Sequence, residues 1–258
     1  MSFERRHQIL ELLRRDGTVL LRDLAERFPE VSEMTLRRDL EYLEKLGEAV
    51  RIKGGARHVS VFGGNSAAEE VYANRLSKNR EGKEKIAAIA MRLVETGRSM
   101  FLDAGTTMMA FAARLPDTNF SILTSGPNIA LEVAKKYNPS VNLIGGQFNR
   151  VSQSVSGMQS LEFVRHMNFD LAFLSSSAFS LDNGFSSGNY GECELKRHIV
   201  SQANRTVLLL DSDKFGKTMP FTFAALGDID VLVTDKKPSE EVLKAAQENG
   251  VQIGRAHV

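Results

Sequence analysis

The segment Val31–Arg57 places the strongest constraint on how this chain folds: VSEMTLRRDLEYLEKLGEAVRIKGGAR. Leu36, Leu40 and Leu43 recur in it at spacings of four and three residues, which predicts a helix with one apolar face. Ser32 is a good N-cap for that helix. The alternating residues that follow, up to a pair of glycines, predict a short hairpin or wing. A helix that opens with arginines and leads into a basic wing is typical of a unit that enters a DNA groove.

The arginines of this helix lie on different faces. Arg38 projects farthest from the leucine stripe, so we predict that it reads base edges, whereas Arg37, about 100° from the stripe, is expected to reach phosphate. Glu33 and Asp39 are expected to orient neighbouring arginines. The candidate DNA-binding residues lie at the start of the helix and in the wing: Ser32, Met34, Thr35, Arg37, Arg38, Arg51, Lys53 and Arg57. The competing interpretation is a core helix with a solvated, charged face.

Net charge gives only local support for nucleic-acid binding. The chain has a formal net charge of +1, and its first 58 residues hold 12 Lys and Arg against 11 Asp and Glu. A field that attracts phosphate must therefore come from the placement of cations rather than from their total. Placement is favourable between Lys45 and His58, where the cations oppose only Glu48.

Composition excludes several classes of protein. The N-terminus carries charge throughout and no run of about 18 apolar residues occurs, so we expect neither a signal peptide nor a membrane span and assign the chain to the cytoplasm. Cys193 is the only cysteine, and we expect it to be a buried small residue rather than a nucleophile. The five histidines show no ligand spacing, so we predict no metal and no cofactor.

Periodicity divides the chain into two domains. Phe3–Arg15 and a shorter stripe that ends at Phe28 predict two helices before the longer one, so residues 1–58 are predicted to form a winged helix-turn-helix domain. A run of small residues follows, and we assign residues 59–80 to a linker and lead-in. Residues 81–258 are predicted to form a larger domain.

In this larger domain, apolar runs alternate with amphipathic helices. Strands are predicted at Ser99–Asp103, Phe120–Leu123, Val141–Ile144, Leu171–Leu174, Val207–Leu210 and Val231–Val233. Helices are predicted near 81–95, 106–115, 127–137, 157–166, 192–203 and 238–249. The alternation predicts the α/β fold class, with a mostly parallel open sheet covered on both faces.

Ligands of such sheets bind beyond the carboxyl ends of the strands. Three loops lie there, and each combines small residues, hydroxyls or free backbone N–H groups that suit an anion. The candidates from these loops are Asp103, Gly105, Thr106, Thr107, Thr124, Ser125, Gly126, Asn128, Gly145 and Gly146. The competing interpretation is ordinary capping of the helices that follow.

Several sequence blocks resemble the DeoR family of bacterial transcriptional regulators. The N-terminal blocks are RRHQILELLRRDG, LRDLAERF, SEMTLRRDLEYLEKLG and RIKGGA, of which TLRRDL is the most diagnostic. The later blocks are FLDAGTT, LTSGPNIAL, LIGGQ, GFSSGNYGECELKR and LLLDSDKFGK. The resemblance implies a sensor domain related in fold to ribose-5-phosphate isomerase and an effector that is a phosphorylated sugar.

A carboxylate and two lysines complete the candidate sensor site. Glu192, Lys196 and Lys214 are candidates for the sugar end of the effector, although acids at a helix start are also favoured by the helix dipole alone. With a phosphate cradle, such groups define the alternative function of a sugar-phosphate isomerase carrying a DNA-binding module. Against that alternative, Ser175–Ser177 stands where the family commonly has Gly-Ala-Asp, so the carboxylate base is missing.

The sequence therefore predicts a one-component transcriptional regulator. Its partners are expected to be a double-stranded DNA operator, a phosphorylated sugar and further copies of itself in a dimer or tetramer, because a single small reading head makes few phosphate contacts. We expect a repressor of a carbohydrate-utilisation operon. A DNA-architectural protein, indifferent to sequence and metabolite, is the remaining alternative.

Overall fold

The computed structural model describes residues 2–45, 49–58 and 70–254. The chain divides into two compact units, Met1–Ala68 and Glu69–Val258. Glu48 and residues 59–69 of the expected linker lie outside the described residues.

The first unit is a winged helix-turn-helix. Its elements in chain order are α1 (Ser2–Asp16), β1 (Thr18–Leu20), α2 (Leu21–Arg27), α3 (Glu33–Lys45), β2 (Ala49–Ile52) and β3 (Gly55–His58). β3 pairs antiparallel with both β1 and β2 in a three-stranded sheet of order β1-β3-β2. The predicted wing is the β2–β3 hairpin, whereas β1 is too short for its period to be recognised in the sequence.

α3 forms where the leucine spacing predicts it, and its three leucines are buried in the core of the unit. The hydroxyl of Ser32 accepts a hydrogen bond from the backbone N–H of Thr35 at 3.3 Å, which confirms the predicted N-cap. Gly55 allows β3 to pass close to β1, because a Cβ at this position would lie 2.1 Å from the carbonyl oxygen of Val19. Because β1 lies between α1 and α2 in the chain, its pairing with β3 connects the wing to the helices.

The second unit contains a seven-stranded parallel sheet and two small antiparallel pieces. The strands of the large sheet are β4 (Ser99–Leu102), β5 (Ser121–Thr124), β6 (Ser140–Leu143), β9 (Leu171–Ser175), β12 (Thr206–Leu209), β14 (Val231–Val233) and β15 (Gln252–Gly254). Their order is β15-β14-β12-β9-β4-β5-β6, and every neighbouring pair is parallel. The antiparallel strands are β7 (Gln147–Asn149), β8 (Ser154–Ser156), β10 (Ala178–Ser180), β11 (Gly184–Ser187) and β13 (Phe221–Ala224).

Helices cover both faces of the large sheet. The helices of this unit are α4 (Tyr72–Ser77), α5 (Arg80–Ala90), α6 (Thr106–Arg114), α7 (Pro127–Val133), α8 (Met158–Val164), α9 (Tyr190–Gln202) and α10 (Glu240–Glu248). One core lies between the sheet and α5, α6 and α7, and a second lies between the opposite face and α8, α9 and α10. The predicted α/β class and parallel sheet are confirmed. β15 and the antiparallel strands are not predicted by the sequence.

The chain order creates a switch point in the sheet. From β4 the chain moves outward through β5 to β6, and then returns to form β9 on the other side of β4. The loops that leave β4 and β9 therefore separate at their carboxyl ends and leave a crevice, which is where ligands of open α/β sheets bind. Within the described ranges, no helix has the length and apolar character needed to cross a bilayer.

Candidate functional site

The face of α3 opposite its buried leucines is exposed and carries Arg38, the residue predicted to read base edges. Met34 and Arg38 are exposed, on the side of the helix away from the buried leucines. Among the described residues, Arg38 has no hydrogen-bond or ion-pair partner, and its side chain is exposed. Arg37 instead donates to Glu33 at 2.7 Å, which confirms that Glu33 orients a neighbouring arginine.

Asp39 has a structural role that the sequence indicates only in part. Its carboxylate is buried, and its two oxygens accept hydrogen bonds from the Nε groups of Arg5 and Arg6 on α1, at 2.6 and 2.7 Å. The arginines that it orients are therefore on another helix rather than beside it in α3. These two hydrogen bonds link α3 to α1 on the buried side of α3, away from the exposed face that carries Arg38.

The cationic side chains of the wing differ in whether they are bonded to α3. Arg51 donates to the carboxylate of Glu41 on α3 at 2.8 Å, and its backbone N–H donates to Glu44 at 3.1 Å. These contacts hold β2 beside the helix. Lys53 and Arg57 are exposed, so they are better placed than Arg51 to reach phosphate.

A buried ion pair lies at the switch point of the second unit. Asp103, directly after β4, and Lys196 on α9 are both buried, and their charged atoms are 2.8 Å apart. The same Asp103 oxygen accepts hydrogen bonds from the backbone N–H and the hydroxyl of Ser175, each at 2.9 Å. Lys196 also donates to the carbonyl oxygen of Ser175 at 2.8 Å. The pair thus joins the ends of β4 and β9 to α9.

Glu192 lies one turn before Lys196 on α9 and is also buried. Its carboxylate accepts hydrogen bonds from the hydroxyls of Ser152 and Ser154 and from the side-chain amide of Asn149 at 3.1 Å. These donors stabilise its charge, and they come from the β7–β8 hairpin. A small cavity of about 20 Å³ lies among Glu192, Lys196 and Asp103.

A larger cavity of about 210 Å³ shares several lining residues with the smaller one. Its wall includes the first turn of α6, where helix geometry leaves backbone N–H groups without partners inside the helix. Around it lie five cationic side chains, Arg75, Lys78, Lys83, Lys214 and Lys217. Three acidic side chains also line it, namely Glu70, Asp211 and Asp213. The lining therefore has a formal charge of +2, which suits an anion.

Two of the charged groups in this cavity are buried and perturbed. Lys83 donates hydrogen bonds to the carbonyl oxygens of Arg75 and Lys78. Burial lowers the pKa of Lys83, and the carboxylate of Asp211 opposes that shift. Burial also raises the pKa of Asp211 itself. A bound anion would favour the charged form of Lys83.

The first predicted loop lines this larger cavity. Gly105, Thr106 and Thr107 are in its wall, as is Lys214, while Asp103 and Lys196 lie behind them beside the smaller cavity. Gly105 has a φ of +122°, a backbone conformation that side chains other than glycine rarely adopt.

The second and third predicted loops make contacts inside the domain instead. The hydroxyl of Thr124 accepts from the backbone N–H of Gly126 at 3.0 Å, and the carbonyl of Ser125 accepts from a strand of the β7–β8 hairpin at 2.7 Å. The side-chain amide of Asn128 donates to the hydroxyl of Tyr72 at 2.6 Å. The carbonyl of Gly145 accepts from Ser160 at 2.7 Å, and a Cβ at Gly146 would lie 2.3 Å from the Ser160 hydroxyl. These loops do not contribute to the described lining of the larger cavity.

Sequence reasoning missed the cations that precede the sheet. Arg75, Lys78 and Lys83 lie in the stretch NRLSKNREGK, partly within the predicted lead-in, and their density of positive charge was the available signal. Cys193 is buried and free, and burial raises the pKa of its thiol, so a thiolate nucleophile is disfavoured. In the described ranges, no group of three or more His, Cys, Asp or Glu side chains is arranged to hold a metal ion.

A winged helix-turn-helix joined in one chain to an α/β domain with a polar cavity is the domain organisation of a one-component transcriptional regulator. Two family models match the chain, the DeoR-like helix-turn-helix domain over residues 5–61 and the DeoR C terminal sensor domain over residues 78–236. The chain belongs to the DeoR family of transcriptional regulators, as the sequence blocks imply.

Full-length relatives are regulators as well. The HTH-type transcriptional regulator GolR of Listeria innocua serovar 6a is 32% identical over 255 residues, with 97% of each chain covered. The putative aga operon transcriptional repressor of Escherichia coli O157:H7 is 31% identical over 97% of this chain and 92% of its own. The glycerol-3-phosphate regulon repressor of Escherichia coli K12 is 28% identical over 97% of both. The protein is thus a regulator rather than an enzyme.

Solved structures give a weaker similarity. The ribose 5-phosphate isomerase A of Methanocaldococcus jannaschii matches with a TM-score of 0.40 and 17% identity, over 54% of this chain and 55% of its own. A similarity at this level assigns no activity.

Proposed function

We propose that this regulator is a cytoplasmic repressor of a carbohydrate-utilisation operon and that a phosphorylated sugar releases it from its operator. The observation that carries the proposal is the cavity at the start of α6, where helix N–H groups and five cationic side chains face one space. A phosphate monoester carries about −1.5 to −2 charges at neutral pH, which matches the +2 of the lining. A relative that is a glycerol-3-phosphate regulon repressor supports a phosphorylated effector, and a relative that represses the aga operon supports the role of an operon repressor.

The acidic residues of the same cavity suit the sugar. Asp211 and Asp213 lie beside the cations, and carboxylates accept hydrogen bonds from hydroxyl groups. An effector with phosphate at one end and hydroxyls at the other would therefore satisfy both kinds of group. The second and third predicted loops, Thr124–Asn128 and Gly145–Gly146, have a supporting role in this proposal. Their polar groups bond within the domain, so the loops stabilise the switch point and do not contact the effector.

A thermal-shift screen tests the choice of effector. We expect sugar phosphates to raise the melting temperature of the sensor domain and their unphosphorylated parents to leave it unchanged. An effector at 100 times its dissociation constant stabilises the protein by about 2.7 kcal/mol. Lys214→Met should weaken this stabilisation because it removes a cation from the cavity wall, whereas Lys244→Met, on the exposed surface of α10, should not. If unphosphorylated sugars stabilise the protein equally, the phosphate class is wrong.

The DNA-binding part of the proposal assigns Arg38 to base readout and Lys53 to phosphate. We expect Arg38→Ala to cost ~1–3 kcal/mol on the preferred sequence and little on scrambled DNA, because a bidentate contact to a base is lost. Lys53→Ala should weaken binding to both DNAs and reduce the salt slope by about one unit. Arg57 has the same assignment as Lys53, while Arg51 and Arg37 are expected to contribute less because each pairs with a glutamate.

Titrations at several salt concentrations measure these effects on a duplex that the wild-type protein selects from a random library. Equal losses of Arg38→Ala on the selected and scrambled duplexes would remove Arg38 from base readout. Ser32 and Thr35, whose hydroxyls are 3.0 Å apart at the start of α3, and the exposed Met34 complete the proposed DNA-contacting surface.

The isomerase alternative has less support. Serines 175–177 provide no carboxylate, Asp103 is held by Lys196, and Glu192 is held by three donors from the β7–β8 hairpin. None of these acids is placed as a free general base. We also propose that the repressor is at least a dimer, because specific operators are usually read by paired heads.

A further inference from the structure

β6 forms one edge of the large sheet, and no strand of the described residues pairs with its outer side. β6 is the end strand of the seven-stranded sheet among the described residues. The backbone N–H groups of Ser140 and Ile144 donate to carbonyls at residues 120 and 124, on the β5 side. Because backbone groups alternate in direction along a strand, those of Val141 and Leu143 face outward. The strand SVNL contains no charged residue and no proline, the usual devices that block an open edge.

Large apolar side chains are concentrated around this edge. Eleven such side chains are exposed in the described residues 70–254, and six of them lie in α7, the loop after α7, β6, β7 and α8. They are Leu131, Tyr137, Leu143, Phe148, Met158 and Phe163, and we call them, together with β6, the edge patch. α7 packs against β6 on one face, and α8 is tied to the loop after β6 by the Ser160–Gly145 hydrogen bond.

The size of the edge patch fits a protein interface. Aromatic side chains offer roughly 150–250 Å² each, so at the exposures found the patch presents on the order of 600–800 Å² of apolar surface. That area is close to the roughly 800 Å² that each partner contributes to an interface of standard size. Apolar patches of this size on soluble proteins usually mark binding surfaces.

Two neutral ion pairs border the edge patch. Glu132 on α7 pairs with Lys135 at 2.5 Å, and Glu162 on α8 pairs with Arg165 at 3.3 Å. Because each pair is balanced within the chain, these four charges add no net repulsion between two copies of the patch. A strand edge is also self-complementary when it pairs antiparallel with itself about a two-fold axis.

We propose that the edge patch is the dimer interface of this regulator and that β6 pairs antiparallel with β6 of a second copy. The inference rests on the proposed dimeric assembly and adds the surface and register. With the two-fold axis at Asn142, Val141 lies opposite Leu143 of the second copy, and the outward groups of both residues form hydrogen bonds across the axis. Two seven-stranded sheets then join into one, and two DNA-binding units are carried by one dimer.

Cysteine cross-linking tests the register. The two copies of residue 142 form a non-hydrogen-bonded pair, with Cα atoms about 4.5 Å apart, which is within the range of ~4.4–6.8 Å that a disulfide spans. We expect full-length Asn142→Cys to form a covalent dimer under mild oxidation. Asn168→Cys, at an exposed position outside the patch, should remain uncross-linked, and the buried Cys193 should give no background. A covalent dimer of Asn168→Cys but not of Asn142→Cys would overturn the proposal.

Sedimentation velocity tests the surface with a matched pair of variants. Leu143 and Leu181 are 45% and 44% exposed, but only Leu143 lies in the edge patch. We expect Leu143→Lys to raise the dimer dissociation constant at least tenfold and Leu181→Lys to leave it unchanged. A wild-type protein that is monomeric, or a Leu143→Lys dimer as tight as the wild type, would reject the interface. Effector-induced thermal shifts measured on the same samples report separately on the proposed sensing function.

Discussion

Lys196→Met is expected to destabilise the sensor domain by about 3–5 kcal/mol, because removing one partner of a buried ion pair leaves the other charge unpaired in a low-dielectric site. The carboxylate of Asp103 would keep its two hydrogen bonds from Ser175 but lose the only cation within ion-pair distance among the described residues. Since Asp103 joins β4 to β9, the loss should open the sheet at the switch point. The expected effect is a large fraction of the total stability of a domain.

Urea titrations followed by hydrogen exchange of peptides from β9 and α9 measure this loss in the full chain. Lys85→Met is the matched control, because Lys85 also pairs with a glutamate but is exposed at the surface, away from the edge patch, where ion pairs contribute little. Adding Asp103→Asn to Lys196→Met should cost less than the sum of the two single changes, since the unpaired charge is then removed. A Lys196→Met loss no larger than that of Lys85→Met would show that the ion pair is not a support of the sheet.

The overall architecture is predictable from the sequence because its signals are local. The leucine spacing of α3 and the polar cap at Ser32 are properties of neighbouring residues, and both are found in the structure. The alternation of apolar runs and amphipathic segments likewise indicates the parallel strands and covering helices. Such patterns require no knowledge of which segments meet in space.

The partners of charged residues are not predictable in the same way. Asp39 bonds to Arg5 and Arg6, more than thirty residues earlier in the chain, and Glu192 bonds to serines some forty residues earlier. Sequence patterns carry no distance information at such separations. An acid at a helix start that is held by distant residues therefore looks the same in the sequence as one that is favoured only by the helix dipole. The second and third sensor loops were predicted as ligand-binding loops from their residue types, but their polar groups bond to α4, the β7–β8 hairpin and α8. The hairpin has no strong sequence pattern, and the pattern that predicts a helix at α8 does not say which loop that helix contacts.

Gly105→Val is expected to leave DNA binding intact and to abolish the response to the effector. At a φ of +122° a valine is strained, and its Cβ would lie 3.3 Å from the hydroxyl of Ser175. The substitution therefore distorts the first turn of α6, whose N–H groups are proposed to bind the phosphate. Thr106→Ala, which removes a hydroxyl from the same turn, is expected to act in the same direction but less strongly.

The size of the lost response follows from linkage. If the effector releases the operator, it must bind the DNA-free form more tightly than the DNA-bound form, since equal affinity for both would shift nothing. A coupling of ~1–3 kcal/mol changes operator affinity about 5- to 150-fold in the wild type, and DNA must weaken effector binding by the same factor. In Gly105→Val both changes should disappear together, while operator affinity without effector remains near that of the wild type.

Gly97→Val separates this effect from general backbone strain. Gly97 also has a positive φ, +84°, but no atom lies within 4 Å of a Cβ built there, and the residue precedes β4 at the opposite end of that strand from Gly105. Valine is strained at the positive φ of either position, so both variants should be less stable than the wild type. Operator titrations with and without the effector should show the full response in Gly97→Val and none in Gly105→Val. A retained response in Gly105→Val would place the phosphate away from α6, because a side chain at this position strains the backbone groups that are proposed to hold it.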